Sequence, residues 1–136
     1  MKRRLSEQPE DKISKITNGF NTLVYIIESN IKNSNINSLE IEKVRYFEKY
    51  NQVEASLVIN AWCEDPDVGV FTQIVDSIDT DVYNIIRNYE FNKEGTLIKV
   101  PESDSYLMHL FDSCQWTALG DSPLKMTYHI LQDDYR

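Results

Sequence analysis

A chain of 136 residues with 41% hydrophobic and 11% aromatic residues has the length of one domain and the composition of a packed globule, not of a disordered segment. Its formal net charge of −8 is uneven, at +1 over residues 1–59, −6 over 60–90 and −3 over 91–136. An acidic second half argues against nucleic acid and anionic membrane as direct ligands, because phosphate binding needs a basic stripe, and it suits a basic protein partner steered by the field.

The first elements follow from periodicity. Residues 1–8 are expected as a flexible arm ahead of a single globular domain over 9–136. Pro9, Glu10 and Asp11 suit a helix start. Ile13, Ile16, Phe20, Leu23, Ile27 and Ile31 recur at steps of three and four, which predicts a helix over 9–32 with one buried stripe. Gly19 would weaken that helix by about 1 kcal/mol relative to Ala. The longest apolar run, Leu23–Ile27, is far too short to cross a membrane. The basic start "MKRR" is followed by no apolar export region, so the expected location is the cytoplasm.

The stretch "NSNINS" (33–38) is a turn-rich connection. Val53, Ala55, Leu57, Ile59 and Ala61 alternate with Glu54, Ser56 and Asn60, which predicts a half-buried strand. Residues 42–50 admit a strand or a helix, and a short turn at Asn51-Gln52 favours the strand of a hairpin. "DPDVG" is a turn. Residues 68–75 are β-rich and predicted as a third strand, with a helix through Phe71, Ile74 and Ile78 as the alternative.

Residues 77–91 are predicted as a helix with Val82, Ile85, Ile86 and Tyr89 on one face, capped by Asp79 or Thr80 and ended by "NKEG". Residues 96–100 read as a short strand stopped by Pro101. Residues 103–113 read as a short helix capped by Ser103 or Ser105. A closing hairpin turns through "GDSP", with Leu124, Met126, Tyr128 and Ile130 inward, His129 on the opposite face and "DDYR" at a frayed end. The sum is an α+β fold: a long N-terminal helix, a mostly antiparallel sheet of about five to six strands, and one or two further short helices on one side.

Residues 63–81, "CEDPDVGVFTQIVDSIDTD", carry six carboxylates and no Lys or Arg. A calcium loop starting at Asp65 would need Gly at its sixth position and Glu at its twelfth, where Val70 and Asp76 stand, so no metal is expected. The pairs Glu64/Asp65 and Asp79/Asp81 lie on turn-like segments with nothing to raise a carboxyl pKa for acid–base chemistry. Cys63, Cys114, His109, His129, Asp112 and Glu64 could contribute to a thiol site. They are dispersed, and two reduced thiols are the simpler expectation. No nucleophile elbow, dinucleotide or phosphate loop, zinc-protease helix or CxxC occurs. No catalytic residue and no cofactor are therefore expected.

A binding surface remains. Glu64, Asp65, Asp67, Asp76, Asp79 and Asp81 are interleaved with Trp62 and Tyr83. The aromatics supply contact area and the carboxylates supply steering. Against this, Asp79 and Asp81 also suit a helix start, "EDPD" is an ordinary turn, and Trp62 and Phe71 suit a core. The leading expectation is a non-enzymatic, acidic, cytoplasmic inhibitor of the bacterial immunity or antitoxin type, covering a basic, nuclease-like toxin. The alternatives are a dimeric chaperone or adaptor for a secreted protein and a small cysteine-dependent enzyme. The oligomeric state is left open.

Overall fold

Ile16, Phe20, Leu23 and Ile27 are fully buried along one side of helix α1 (Arg3–Asn30) in the computed structural model, which describes residues 3–63, 68–116 and 122–133. The stripe lies on the predicted spacing, and the helix itself begins at Arg3, ahead of Pro9. It ends where Asn30 turns its side-chain amide back to donate to the Ile26 carbonyl at 2.7 Å.

Strands β1 (Ile36–Phe47) and β2 (Gln52–Cys63) form an antiparallel hairpin. Residues 42–47 are therefore strand, and the chain reverses over 48–51 with Asn51 at φ 48°. The Tyr46 hydroxyl donates to Asn51 Oδ1 at 3.1 Å and braces that turn. A second positive φ, 56° at Lys43, marks a bulge where the β1–β2 register shifts between Glu42 and Arg45.

Residues 68–75 are helix, not the predicted strand. They open α2 (Val68–Ile86), one helix where a strand and a helix were expected. The deciding signal is the period: Ile74, Ile78, Val82 and Ile86 recur every four residues and are buried, while Asp76, Thr80 and Asn84 midway between them are exposed, which a two-residue strand period cannot give. The predicted helix also stops short of 91. Tyr89–Phe91 is β3, paired antiparallel with β4 (Leu97–Lys99). "NKEG" is the turn of that hairpin: Asn92 Oδ1 accepts from the N–H groups of Glu94 and Thr96 at 3.1 and 2.9 Å, and Gly95 takes φ 86°.

The helix expected over 103–113 is absent. A single 3-10 turn at Glu102–Asp104 leads into β5 (Leu107–Trp116), which pairs with β6 (Ser122–Gln132). The apolar residues Leu107, Leu110 and Phe111 mimic a helical stripe, but a long partner strand in β6 makes the extended form cheaper. The β5–β6 register slips once, between Phe111 and Ser113.

The main sheet is antiparallel in the order β1-β2-β6-β5. Val53, Ala55, Leu57, Ile59 and Ala61 of β2 and Leu124, Met126, Tyr128 and Ile130 of β6 point to one face, and all are buried in one cluster with the α1 and α2 stripes. Helix α1 lies against β1 and β2, and α2 against β2 and β5. With the β3–β4 pair this makes the α+β protein that the sequence calls for, with six strands among the described residues. The opposite sheet face carries Glu54, Ser56, Asn60 and His129, together with the buried Val58. Among the described residues no helix is long and apolar enough to cross a membrane.

Two local contacts seat the β3–β4 pair. Gln132, 9% exposed at the end of β6, accepts from the Phe91 N–H with Oε1 at 2.7 Å and donates to the Phe91 carbonyl with Nε2 at 2.8 Å. Gly19 gives the Phe91 ring room against α1, since a Cβ there would stand 2.5 Å from Phe91 Cε1. The ring packs on Phe20 with centroids 4.8 Å apart.

Candidate protein-binding face

The acidic stretch does not form one surface. Glu64, Asp65 and Asp67 lie outside the described residues. Trp62 is half-buried on β2, with its N–H bonded to the Asn35 carbonyl at 3.0 Å and its carbonyl accepting from Asn35 Nδ2 at 2.9 Å. It follows the buried Ala61, so it points to the helix-free face of the sheet. Asp81 accepts the Lys32 N–H at 3.0 Å and ties α2 to the end of α1. Its position is accounted for by structure.

The remaining three come together. Asp76, Asp79 and Tyr83 are spaced by three and four residues on α2, so they share one helix face, turned away from the buried stripe toward β5. Tyr83 is 46% exposed. Its ring takes the Arg87 guanidinium at 4.9 Å and meets the His109 ring at 5.1 Å. His109 in turn packs 5.9 Å from Tyr128, which also meets Phe111 at 5.2 Å. This series of rings runs from the surface into the core, and it fixes α2 against β5.

Beside it, β5 exposes Met108, Leu110 and Phe111, at 48%, 50% and 41%. Alternation puts Met108 and Leu110 on the helix-free side and His109 and Phe111 on the α2 side. An open groove of about 310 Å³ runs between the end of α2 and the start of β5, lined by Tyr83, Arg87, Glu102, Met108 and Leu110 among others. These β5 residues are absent from the expected site because the sequence pattern places them on a helix. The available signal was "LMHLF", apolar on both faces of a strand, which fits a buried central strand or an edge kept open for contact.

The electrostatics of the face are acidic outside and neutral inside. Asp79 and the His109 ring approach to 3.8 Å, with the ring 10% exposed. Burial lowers the His109 pKa from its ordinary value, and the Asp79 carboxylate pulls the other way without overcoming it. His109 is therefore neutral at pH 7. Burial, with the charges of Asp79 and Cys114 adding to it, raises the Tyr128 phenol far above its usual range, so it stays an O–H and donates to Met126 Sδ at 3.8 Å.

No protein-family model matches this chain, and no curated protein matches it in sequence. Function rests on the geometry alone.

The candidate thiol-site residues are not assembled. Cys63 is fully buried, and Cys114 is half-buried with its pKa raised by burial, the opposite of what a nucleophilic thiolate needs. Cys114 and His109 are separated along β5 by about 15 Å, with Phe111 between them. His129 belongs to the other sheet face, where its Nε2 meets Glu54 Oε2 at 3.0 Å and Arg45 reaches Glu54 Oε1 at 3.7 Å. Among the described residues no group of three His, Cys, Asp or Glu is placed to hold a metal ion.

Proposed function

We propose that this protein is a non-enzymatic binding protein that holds a basic protein partner on the face made by α2 and β5, and that it acts in the cytoplasm as an immunity or antitoxin-type inhibitor of a nuclease-like toxin. One observation carries the reading: Asp76, Asp79 and Tyr83 share an exposed side of α2 beside the open edge of β5, which exposes Phe111 on that side and Met108 and Leu110 on the other. Apolar and aromatic area flanked by carboxylates is the composition of an interface centre with a steering rim. A cationic active site is a chemically matched target for it.

The test compares two baits in extract of the source organism, the wild type and an Asp76→Asn/Tyr83→Ala variant, at low and moderate salt. A basic protein retained by the wild type, released by salt and lost by the variant supports the reading. The same protein retained equally by both baits refutes this face. A dimeric chaperone or adaptor is the second reading, favoured by the apolar β5 edge. Sedimentation of a dimer with β5 protected from hydrogen exchange would select it.

A further inference from the structure

β5 ends the main sheet, so one of its edges pairs with β6 and the other is paired with no strand among the described residues. Every second residue of such a strand presents its backbone N–H and C=O outward, a template for another strand. The two edges of this sheet are treated differently. The β1 edge carries Glu40, Glu42, Lys43 and Arg45 and is broken by the bulge at Lys43, which blunts pairing. The β5 edge from Leu107 to Phe111 carries no Asp, Glu, Lys or Arg, and its side chains at Met108, Leu110 and Phe111 are left in solvent. Its register slip, after Phe111, falls where Asp112 begins the next stretch.

We propose that this edge accepts an extended segment of the basic partner as a fifth strand, a segment in which basic and apolar side chains alternate. This rests on the binding reading above and specifies its mode. The alternation follows from the two sides of the edge. On the α2 side, an added strand's side chains run beside Phe111 and Asp79, one turn from Asp76, which suits Arg or Lys. On the other side they meet Met108 and Leu110, which suits Val, Ile or Leu. Backbone bonds to β5 supply register-independent affinity, and the alternate side chains supply selectivity.

Charge decides against a second copy of the chain as occupant. Asp79 stands 3.8 Å from His109 of this edge and Asp76 is one turn away on the same helix face, while Arg87 beside them is already paired with Glu102 at 3.4 Å. Two copies joined edge to edge would set these carboxylates against each other. A basic segment is attracted by them.

The test uses a capped synthetic peptide of alternating Arg and Val, its Glu/Val counterpart, and two Arg/Val versions N-methylated at alternate residues, one on each edge. Binding to the intact chain is followed by fluorescence anisotropy and backbone hydrogen exchange. The expected result has five parts. The Arg/Val peptide binds and weakens with salt. The β5 amides become protected. One N-methylated version loses affinity by about tenfold or more, while the other changes by less than about twofold. The Glu/Val peptide binds at least about tenfold more weakly. A Leu110→Lys variant, whose circular dichroism shows it folded, loses the Arg/Val peptide.

If both N-methylated peptides bind like the parent, attraction is electrostatic without strand addition. The mode is then wrong, while the basic-partner reading stands. Equal binding of the Arg and Glu peptides overturns the charge argument. No binding by any peptide, or a dimer in which β5 is already protected, overturns the proposal together with its occupant.

Discussion

Replacing Gln132 by Leu keeps the volume of the side chain and removes both hydrogen bonds that join β6 to β3. The Phe91 N–H and carbonyl then lose partners at 2.7 and 2.8 Å in a place where Phe91 is 4% exposed. An orphaned buried group costs about 1–3 kcal/mol, with the carbonyl at the lower end because it has a second lone pair to use. The Leu gains apolar burial where the amide stood, which returns about 1 kcal/mol. The net expectation is a destabilisation of about 2–4 kcal/mol, and a fall in Tm of roughly 10 °C for a domain of this size. Urea unfolding followed by tryptophan fluorescence and circular dichroism measures it, with an unchanged slope on denaturant showing that the folded state is comparable. A loss under about 1 kcal/mol would mean that water reaches Phe91, and that the β3–β4 pair is held by the Phe20 and Phe91 rings rather than by Gln132.

Three further outcomes follow. Gly19→Ala should destabilise by about 1 kcal/mol, although Ala is the better helix former, because the new methyl meets Phe91 Cε1 at 2.5 Å; in a Phe91→Leu background the same change should become neutral or stabilising. His109, with a folded pKa below the ordinary 6.5, leaves the unfolded chain to bind the proton first, so stability should fall as pH drops below about 6.5 until the folded pKa is reached. His109→Phe should remove that part of the decline, at most about 1.4 kcal/mol per pH unit, in thermal melts compared pairwise between pH 7.5 and 5. Alkylation at pH 7.5 should find Cys114 slower than a free thiol and Cys63 reactive only on unfolding. Fast, selective labelling of either would restore the thiol-enzyme reading.

What the sequence showed well were the patterns that one element imposes on itself. The three-and-four spacing of Ile16, Phe20, Leu23 and Ile27 and the alternation from Val53 to Ala61 each match a buried face, because burying one apolar side is the largest stabilising contribution to such an element. Val68–Val75 reads as strand because a β-branched run has strand propensity locally, while its helix is stabilised by Ile78, Val82 and Ile86 further on. Residues 107–113 read as helix for a reason outside the segment, namely that β6 beside them is invisible to local periodicity. Gly19 looks like a weakness in α1, and its purpose depends on Phe91, which arrives from far along the chain. The site followed the same rule. The carboxylates were visible as a run, but which of them share a face depended on α2 being one helix, and the apolar half of the face depended on β5 being a strand.

That dependence also means that the proposed face would meet a partner without first rearranging. Asp79 and Tyr83 are held by the buried stripe of their own helix, and Tyr83 packs with Arg87 and His109 at 4.9 and 5.1 Å. The His109 ring stands over Tyr128, whose side chain is fully buried in the middle of the sheet. A partner meeting Tyr83 therefore meets a group already ordered by the core, so little side-chain entropy remains to be lost on association. Keeping His109 neutral serves the same end. A charged imidazolium beside the Asp79 carboxylate, 44% exposed, would offset its field on the proposed face, whereas the buried neutral ring does not. It follows that acidification through the range where His109 takes up its proton should slow association with a basic partner before it unfolds the protein, and that His109→Phe should keep the on-rate constant over that range while Asp79→Asn lowers it at every pH.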